Sequence, residues 1–98
     1  MRCYSSNPYE WEFDACVAFE VLEHLDDPAE FVRTVRARHL IASVPVRRED
    51  GNPHHKQQFT VESFNALIET RFHIKSWWLQ FEPYHNDPSV IVAHGEAQ

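Results

Sequence analysis

Glycine is scarce in this sequence, with only Gly51 and Gly95 among 98 residues. Loops that cradle a phosphate or a dinucleotide need several glycines, because their backbone turns tightly and approaches the ligand closely. Two isolated glycines exclude such a loop from this chain. Long apolar runs are also lacking, since the longest are only strand-length and too short to cross a bilayer. We therefore expect one small domain with a single modest core and no membrane partner.

Cysteine is equally rare, with Cys3 and Cys16 as the only two. Their spacing does not match that of a zinc knuckle. The N-terminal residues MRCYSSNPYEWEFD are polar and include acids, unlike a secretory signal peptide. We interpret the two cysteines as reduced thiols of a cytoplasmic protein, with a disulfide as the alternative.

Acidic residues exceed basic ones, which gives a formal net charge of −6. This surplus argues against a broad surface for nucleic acid, because such surfaces neutralise phosphates with lysine and arginine. Binding would require a local patch, and its candidates are Arg33, Arg36, Arg38, Arg47 and Arg48. Arg33 and Arg36 share a predicted helix and more simply form its solvated face. Nucleic acid is therefore not favoured as a partner.

Hydrophobic periodicity and turn residues divide the chain into six elements after a lead-in loop over residues 1–12. The predicted strands are 13–19, 39–46, 72–81 and 89–95, and the predicted helices are 28–38 and 61–71. Asp27 and Thr60 are the expected helix caps. Strands that alternate with helices indicate parallel pairing, and the last two strands indicate an antiparallel hairpin. The prediction is a single α/β domain over residues 1–98, with a sheet of about four strands and two main helices.

Three segments together resemble the second half of a class I S-adenosylmethionine-dependent methyltransferase. They are FDACVAFEVLEHLDDPAEF, LIASVP and NPHHKQQFTVESFNALIE, and the resemblance covers roughly residues 13–94. In that family an F-D strand ends in a V-L-E-H-like motif and is followed by a helix. Next come a strand ending in S-V-P, a loop and a helix introduced by F-T, and the closing antiparallel strand pair is also typical. The resemblance implies a partial Rossmann-like sheet and S-adenosylmethionine as the cofactor.

The sequence also departs from that family. The glycine-rich turn after the first family strand and the ribose-binding acid after the second are both missing, and the turn before the S-V-P strand is reduced to Arg38-His39. By family standards the chain is a half-domain that binds the cofactor weakly or not at all in isolation. Three hypotheses stay open: a methyltransferase that works when another copy or chain completes it, a non-catalytic binding or regulatory module, and a fragment with no independent role.

The resemblance assigns roles to four residues at the carboxyl ends of the first two predicted strands, where chemistry gathers in open α/β sheets. Glu20 and Glu23 would shape the cofactor pocket, and His24 or His55 would act as a general base. The small-RNA 3′-end 2′-O-methyltransferases hold a divalent metal with E-x-x-E-H and a histidine before the F/W-T helix start. That pattern maps onto Glu20, Glu23, His24 and His55, whose ligand types suit Mg²⁺ or Mn²⁺ as a Lewis acid. The alternative is that the same residues shape the pocket without a metal.

Two expectations concern surfaces. In a complete family member the strand 13–19 lies inside the sheet, so here its free edge should pair with a second copy or a complementing chain. A homodimer through this edge is expected unless residues 1–12 fold back along it. Trp77 and Trp78 are adjacent in a strand and point to opposite sides, so we expect one in the core and one exposed.

Overall fold

The computed structural model describes residues 2–4, 13–46, 58–81 and 88–98, which form five strands and two α-helices. The elements are β1 Arg2–Tyr4, β2 Phe13–Phe19, α1 Pro28–Thr34, β3 Ala37–Pro45, α2 Val61–Glu69, β4 Phe72–Phe81 and β5 Pro88–Ala97. A 3₁₀ turn, Leu22–His24, connects β2 to α1.

The strands form one mixed sheet in the order β1-β2-β3-β5-β4. Strands β2 and β3 are parallel, and β5 is antiparallel to both β3 and β4. The predicted α/β class, the parallel pairing of the strands predicted at 13–19 and 39–46, the antiparallel last pair and the two helices are therefore confirmed. The position of β5 between β3 and β4 was not predicted, because hydrophobic patterns do not reveal which strands are neighbours.

The lead-in segment was predicted as a loop, and this was wrong for residues 2–4. Strand β1 pairs antiparallel with β2 and sets Cys3 opposite Cys16 and Tyr4 opposite Ala15. The β2 edge is thus covered along residues 15–17, so the bare edge from which we predicted a homodimer is not present there. Pairing satisfies backbone groups that would otherwise template association.

Cys16 is buried and disulfide-bonded, so the interpretation of reduced cysteines was wrong. The chain has only one other cysteine, Cys3, which faces Cys16 across the β1–β2 ladder. Cytoplasmic location was predicted partly from reduced thiols and stays a prediction without that support. Within the residues that the structure describes, no helix is long and apolar enough to span a membrane.

Side chains alternate between the two faces of the sheet, and the described helices both pack on one of them. We call this side the covered face. Its sheet residues are Cys16, Ala18, Leu40, Ala42, Val44, Ile91, Ala93 and Gly95. Val32 of α1 and Phe64 and Ile68 of α2 complete this core. At Gly95 an added Cβ would lie 2.7 Å from Cβ of Phe72, so glycine permits the close packing of β5 against the α2–β4 junction.

We call the opposite side the open face. Its residues, in register across the strands, include Ala15, Val17, Phe19, His39, Ile41, Ser43, Val92, His94, Glu96 and Trp78. Most of them are half-buried or exposed, and only Ser43 and Val92 are buried. Within the described ranges, α1 and α2 both belong to the other side.

Local sequence explains where the helices begin. Asp27 accepts a hydrogen bond from the Glu30 N–H at 3.1 Å, and Pro28 occupies the first helical position. Thr60 and Ser63 form a reciprocal capping box at the start of α2. Both predicted caps are confirmed.

Helix α1 ends at Thr34, four residues before its predicted end at residue 38. The chain must be extended by Ala37, because Ala37 pairs with Phe13 in the parallel ladder. Arg38 and His39, which the resemblance placed in a shortened turn, consequently lie inside β3. The Arg71 side chain donates from Nε to the carbonyl of Val35 at 3.0 Å, which ties the end of α1 to the end of α2.

Candidate functional site at the carboxyl ends of β2 and β3

Glu20, directly after β2, is the only described non-glycine residue with a left-handed backbone, at φ 54°. Its N–H points at Ser43 of β3, with the carbonyl oxygen at 2.9 Å and Oγ at 3.2 Å. These bonds hold a conformation that non-glycine residues adopt uncommonly and at an energetic cost. The chain therefore turns sharply at Glu20 and leaves its side chain exposed at the end of the parallel pair.

The 3₁₀ turn that follows places the next two candidate residues in different environments, one in the protein interior and one in solvent. Glu23 is 1% exposed, one of two buried polar or charged residues among those described, while His24 is exposed. Leu22 is fully buried and anchors the turn in the core. Burying a carboxyl group costs free energy unless the group is paired or hydrogen-bonded. Glu23 is therefore a buried structural residue of this junction and not part of its solvent-exposed surface.

A pocket of about 280 Å³ opens on the open face beside Glu20. Its lining consists of Phe19, Glu20, Ser43, Trp78, Gln80, Val90 and Val92. Four of these form a single row across four strands, in which Phe19 pairs with Ser43, Ser43 with Val92, and Val92 with Trp78. The row fixes two aromatic side chains on either side of a buried hydroxyl, with a carboxylate at one end.

The predicted metal set comes together only in part. Among the described residues, no three His, Cys, Asp or Glu side chains form a group that could hold a metal ion. Glu20 lines the pocket, whereas Glu23 and His24 are not among its lining residues. His55 lies in residues 47–57, outside the described part of the chain, so the four-residue metal site and the role of His55 stay predictions.

Both adjacent tryptophans are 46% exposed, so the expectation that one lies in the core was wrong. Strand β4 is an edge strand of the sheet, and most of its residues after Phe72 are exposed. Trp78 lines the pocket on the open face, and Trp77 lies on the other side near Asn65 and Glu69 of α2. Pattern alone identified the alternation correctly, but it could not show that β4 is an outer strand.

A second polar group on the open face was missed from the sequence. His39 Nδ1 of β3 and His94 Nε2 of β5 lie 3.1 Å apart, and both side chains are half-buried. Glu96 is the register partner of His39. Fifty-five positions separate the two histidines, and only the β3–β5 pairing brings them together.

Charges around Glu96 set its ionisation. Desolvation raises the pKa of Glu96. The Lys75 ammonium lowers it by Coulomb attraction and a hydrogen bond, and the charges of His39 and Arg38 lower it further, so the pKa is lowered overall. The distances are 3.5 Å from Lys75 Nζ and 3.6 Å from Arg38 Nε to the carboxylate. Glu96 therefore stays ionised to a lower pH than an isolated glutamate.

No protein-family model matches this sequence, and no curated protein matches it with significant similarity. The resemblance to the methyltransferase family therefore depends on the motifs quoted above and remains a prediction.

Proposed function

We propose that this chain is a methyltransferase-like half-domain that contributes part of a site for S-adenosylmethionine and takes part in methyl transfer when another chain or copy completes it. The observation that carries the proposal is the position of the E-V-L-E-H motif. It follows the first of two parallel strands, precedes a capped helix, and adjoins the pocket at their carboxyl ends. Ligands of open α/β sheets bind at this edge.

The chemistry of the pocket fits part of the cofactor. Phe19 and Trp78 offer aromatic surface for a flat base or for a cation, and Glu20 offers a negative charge. S-adenosylmethionine carries both an adenine ring and a sulfonium cation. A pocket of about 280 Å³ lies just below the usual range of about 300–1,000 Å³ for ligand pockets, so it would enclose only part of the molecule.

The catalytic part requires completion. Methyl transfer forms a bond from the acceptor oxygen or nitrogen to the methyl carbon, breaks the carbon–sulfur bond and releases a proton, which a base must accept. His24 is the candidate base among the described residues, but it does not line the pocket. The contacts to the acceptor and the remaining cofactor contacts would come from the completing chain or from residues 47–57, which include His55.

The proposal is tested by measuring the affinity of the chain for S-adenosylmethionine and for S-adenosylhomocysteine, the thioether product whose sulfur is neutral. We expect isothermal titration with the isolated chain to give millimolar dissociation constants, with the sulfonium compound bound more tightly because Glu20 and the rings favour a cation. Trp78→Ala should abolish binding. Trp77→Ala, which removes an equally exposed tryptophan from the other side of the same strand, should leave it unchanged.

Equal effects of the two tryptophan variants, or no binding at millimolar concentration, would contradict the pocket assignment. A micromolar constant would show that the chain is not a half-site. Light scattering with and without the ligand would report whether the chain self-associates, which the homodimer proposal requires.

A non-catalytic binding module is the second candidate. The separation of His24 from the pocket favours it, because among the described residues no imidazole lines the pocket to take up the proton. Equal affinity for the sulfonium and thioether compounds, combined with loss of both in Trp78→Ala, would support this candidate over the first.

A further inference from the structure

His39 and His94 form a pair of adjacent imidazoles on the open face, and neither of them lines the pocket at the strand ends. Their facing nitrogens are 3.1 Å apart, their ring centroids are 5.2 Å apart, and their planes are tilted by 37°. Both residues lie inside paired strands, with Ile41 opposite His94 and Glu96 opposite His39. The pairing of β3 with β5 therefore fixes the backbone positions from which both rings project.

This separation matches two ligands of one metal ion. Imidazole nitrogen lies about 2.0–2.1 Å from Zn²⁺, so two such ligands at angles between square and tetrahedral are about 2.8–3.4 Å apart. The observed distance falls within that range. It equally suits a hydrogen bond, in which one ring donates to the other, so a metal ion would take the place of the shared proton.

The neighbouring charge favours a cation at the pair. Glu96 faces His39 across the ladder, and its carboxylate is only loosely paired, at 3.5 Å from Lys75 and 3.6 Å from Arg38. Both distances are longer than the roughly 2.7–2.9 Å of a strong charge-assisted hydrogen bond, and both cationic side chains are about half exposed. Exchanging one such pairing for a divalent ion therefore gives up little.

We propose that His39 and His94 chelate one divalent transition-metal ion of the Zn²⁺, Ni²⁺ or Cu²⁺ class, with water completing its coordination and the Glu96 carboxylate beside the pair as a compensating charge. Imidazole suits these ions, whereas Mg²⁺ and Mn²⁺ prefer oxygen ligands. With two protein nitrogens the site is weaker than a structural zinc site of four protein ligands. It is separate from the metal set predicted around Glu20 and depends on different residues.

Calorimetric titration of the oxidised chain with Zn²⁺ and with Ni²⁺ tests the site. We expect one equivalent per chain, loss of that equivalent in both His39→Ala and His94→Ala, and binding about tenfold weaker in Glu96→Gln. Glu69→Gln removes an exposed carboxylate of α2, on the other side of the sheet, and serves as the control, in which binding should be unchanged. Mg²⁺ should not compete.

Nitrogen-15 NMR of the histidine rings in the wild-type chain gives a test that needs no variant. Substoichiometric Zn²⁺ should shift or broaden the ring resonances of His39 and His94 together. Binding that persists in His94→Ala, binding that is lost in Glu69→Gln, or ring resonances of this pair that stay unmoved at millimolar Zn²⁺ would each overturn the proposal.

Discussion

The two faces of the sheet differ in composition and in what lies against them. On the covered face the central positions are small or aliphatic, such as Ala18, Ala42 and Ala93, and α1 and α2 pack directly on them. On the open face the same three strands present Phe19, the His39–His94 pair and Glu96, mostly half-buried or exposed. One side of each strand therefore builds the core, while the other carries the groups that can bind a ligand.

This difference shows why the strand sequences were only partly informative. FDACVAF and HLIASVPV are apolar on both alternating sets, a pattern typical of parallel strands buried on both faces. In the described part of the structure their covered-face residues are mostly buried, whereas most of their open-face residues are half-buried or exposed. The apolar residues Val17 and Ile41 on the open face are what a methyltransferase-like half-domain would retain if another element were to complete it.

Replacing one phenylalanine on each side of the sheet by alanine is the most direct test of the difference between the two faces. Phe64 of α2 is fully buried, so Phe64→Ala should lower the free energy of unfolding by about 3–5 kcal/mol. Phe19 is 57% exposed, and Phe19→Ala should cost less than about 1 kcal/mol. Urea denaturation monitored by circular dichroism measures both.

Equal losses in the two variants would mean that the open face is covered in solution. That result would also agree with self-association, so the samples should be compared by light scattering at the same concentration.

The second-largest effect concerns the disulfide of Cys16, which lies on the covered face beside β1. Cys16→Ala should lower the free energy of unfolding by about 2–4 kcal/mol, because the crosslink restricts the unfolded chain. Adding reductant to the wild-type protein should cause a similar loss, and the variant should not respond to reductant. A wild-type chain whose stability is unchanged by reductant would contradict this prediction and favour the reduced thiols that the sequence indicated.

Much of the fold follows from local signals. The predicted bounds of β2 and β4 agree with the structure, and the caps at Asp27 and Thr60 fix where the helices start. These features depend on neighbours in the chain, so periodicity and capping chemistry suffice to find them. The end of α1 was missed because the long-range pairing of Ala37 with Phe13 decides it.

The candidate site was less accessible to prediction. The motif around Glu20 and Glu23 could be recognised, because its residues are consecutive and follow a strand. The row of Phe19, Ser43, Val92 and Trp78 depends on which strands pair and in which register, and neither can be read from local patterns. The same applies to His39 and His94. Strand β1 was missed because three residues are too short to show a period.

The smallest expected effect concerns the ion pairs of Glu96 on the open face, whereas the core residues of the covered face are apolar. Lys75, His39 and Arg38 outweigh the desolvation of Glu96 and hold its pKa below the ordinary value of 4.5. Because the folded-state pKa is lower than the unfolded one, Glu96 stabilises the fold at pH values above 4.5, and this contribution disappears as the pH falls through the folded-state pKa.

Glu96→Gln should therefore be slightly less stable than wild type at neutral pH, and the two should converge in acid. The gap should also shrink in high salt, since the ion pairs are half exposed. Urea midpoints measured from neutral pH down to about pH 3, with Lys75→Gln and the double variant closing the cycle, isolate the Lys75–Glu96 coupling. A gap that widens in acid would have the wrong sign for a lowered pKa and would show that desolvation dominates at Glu96.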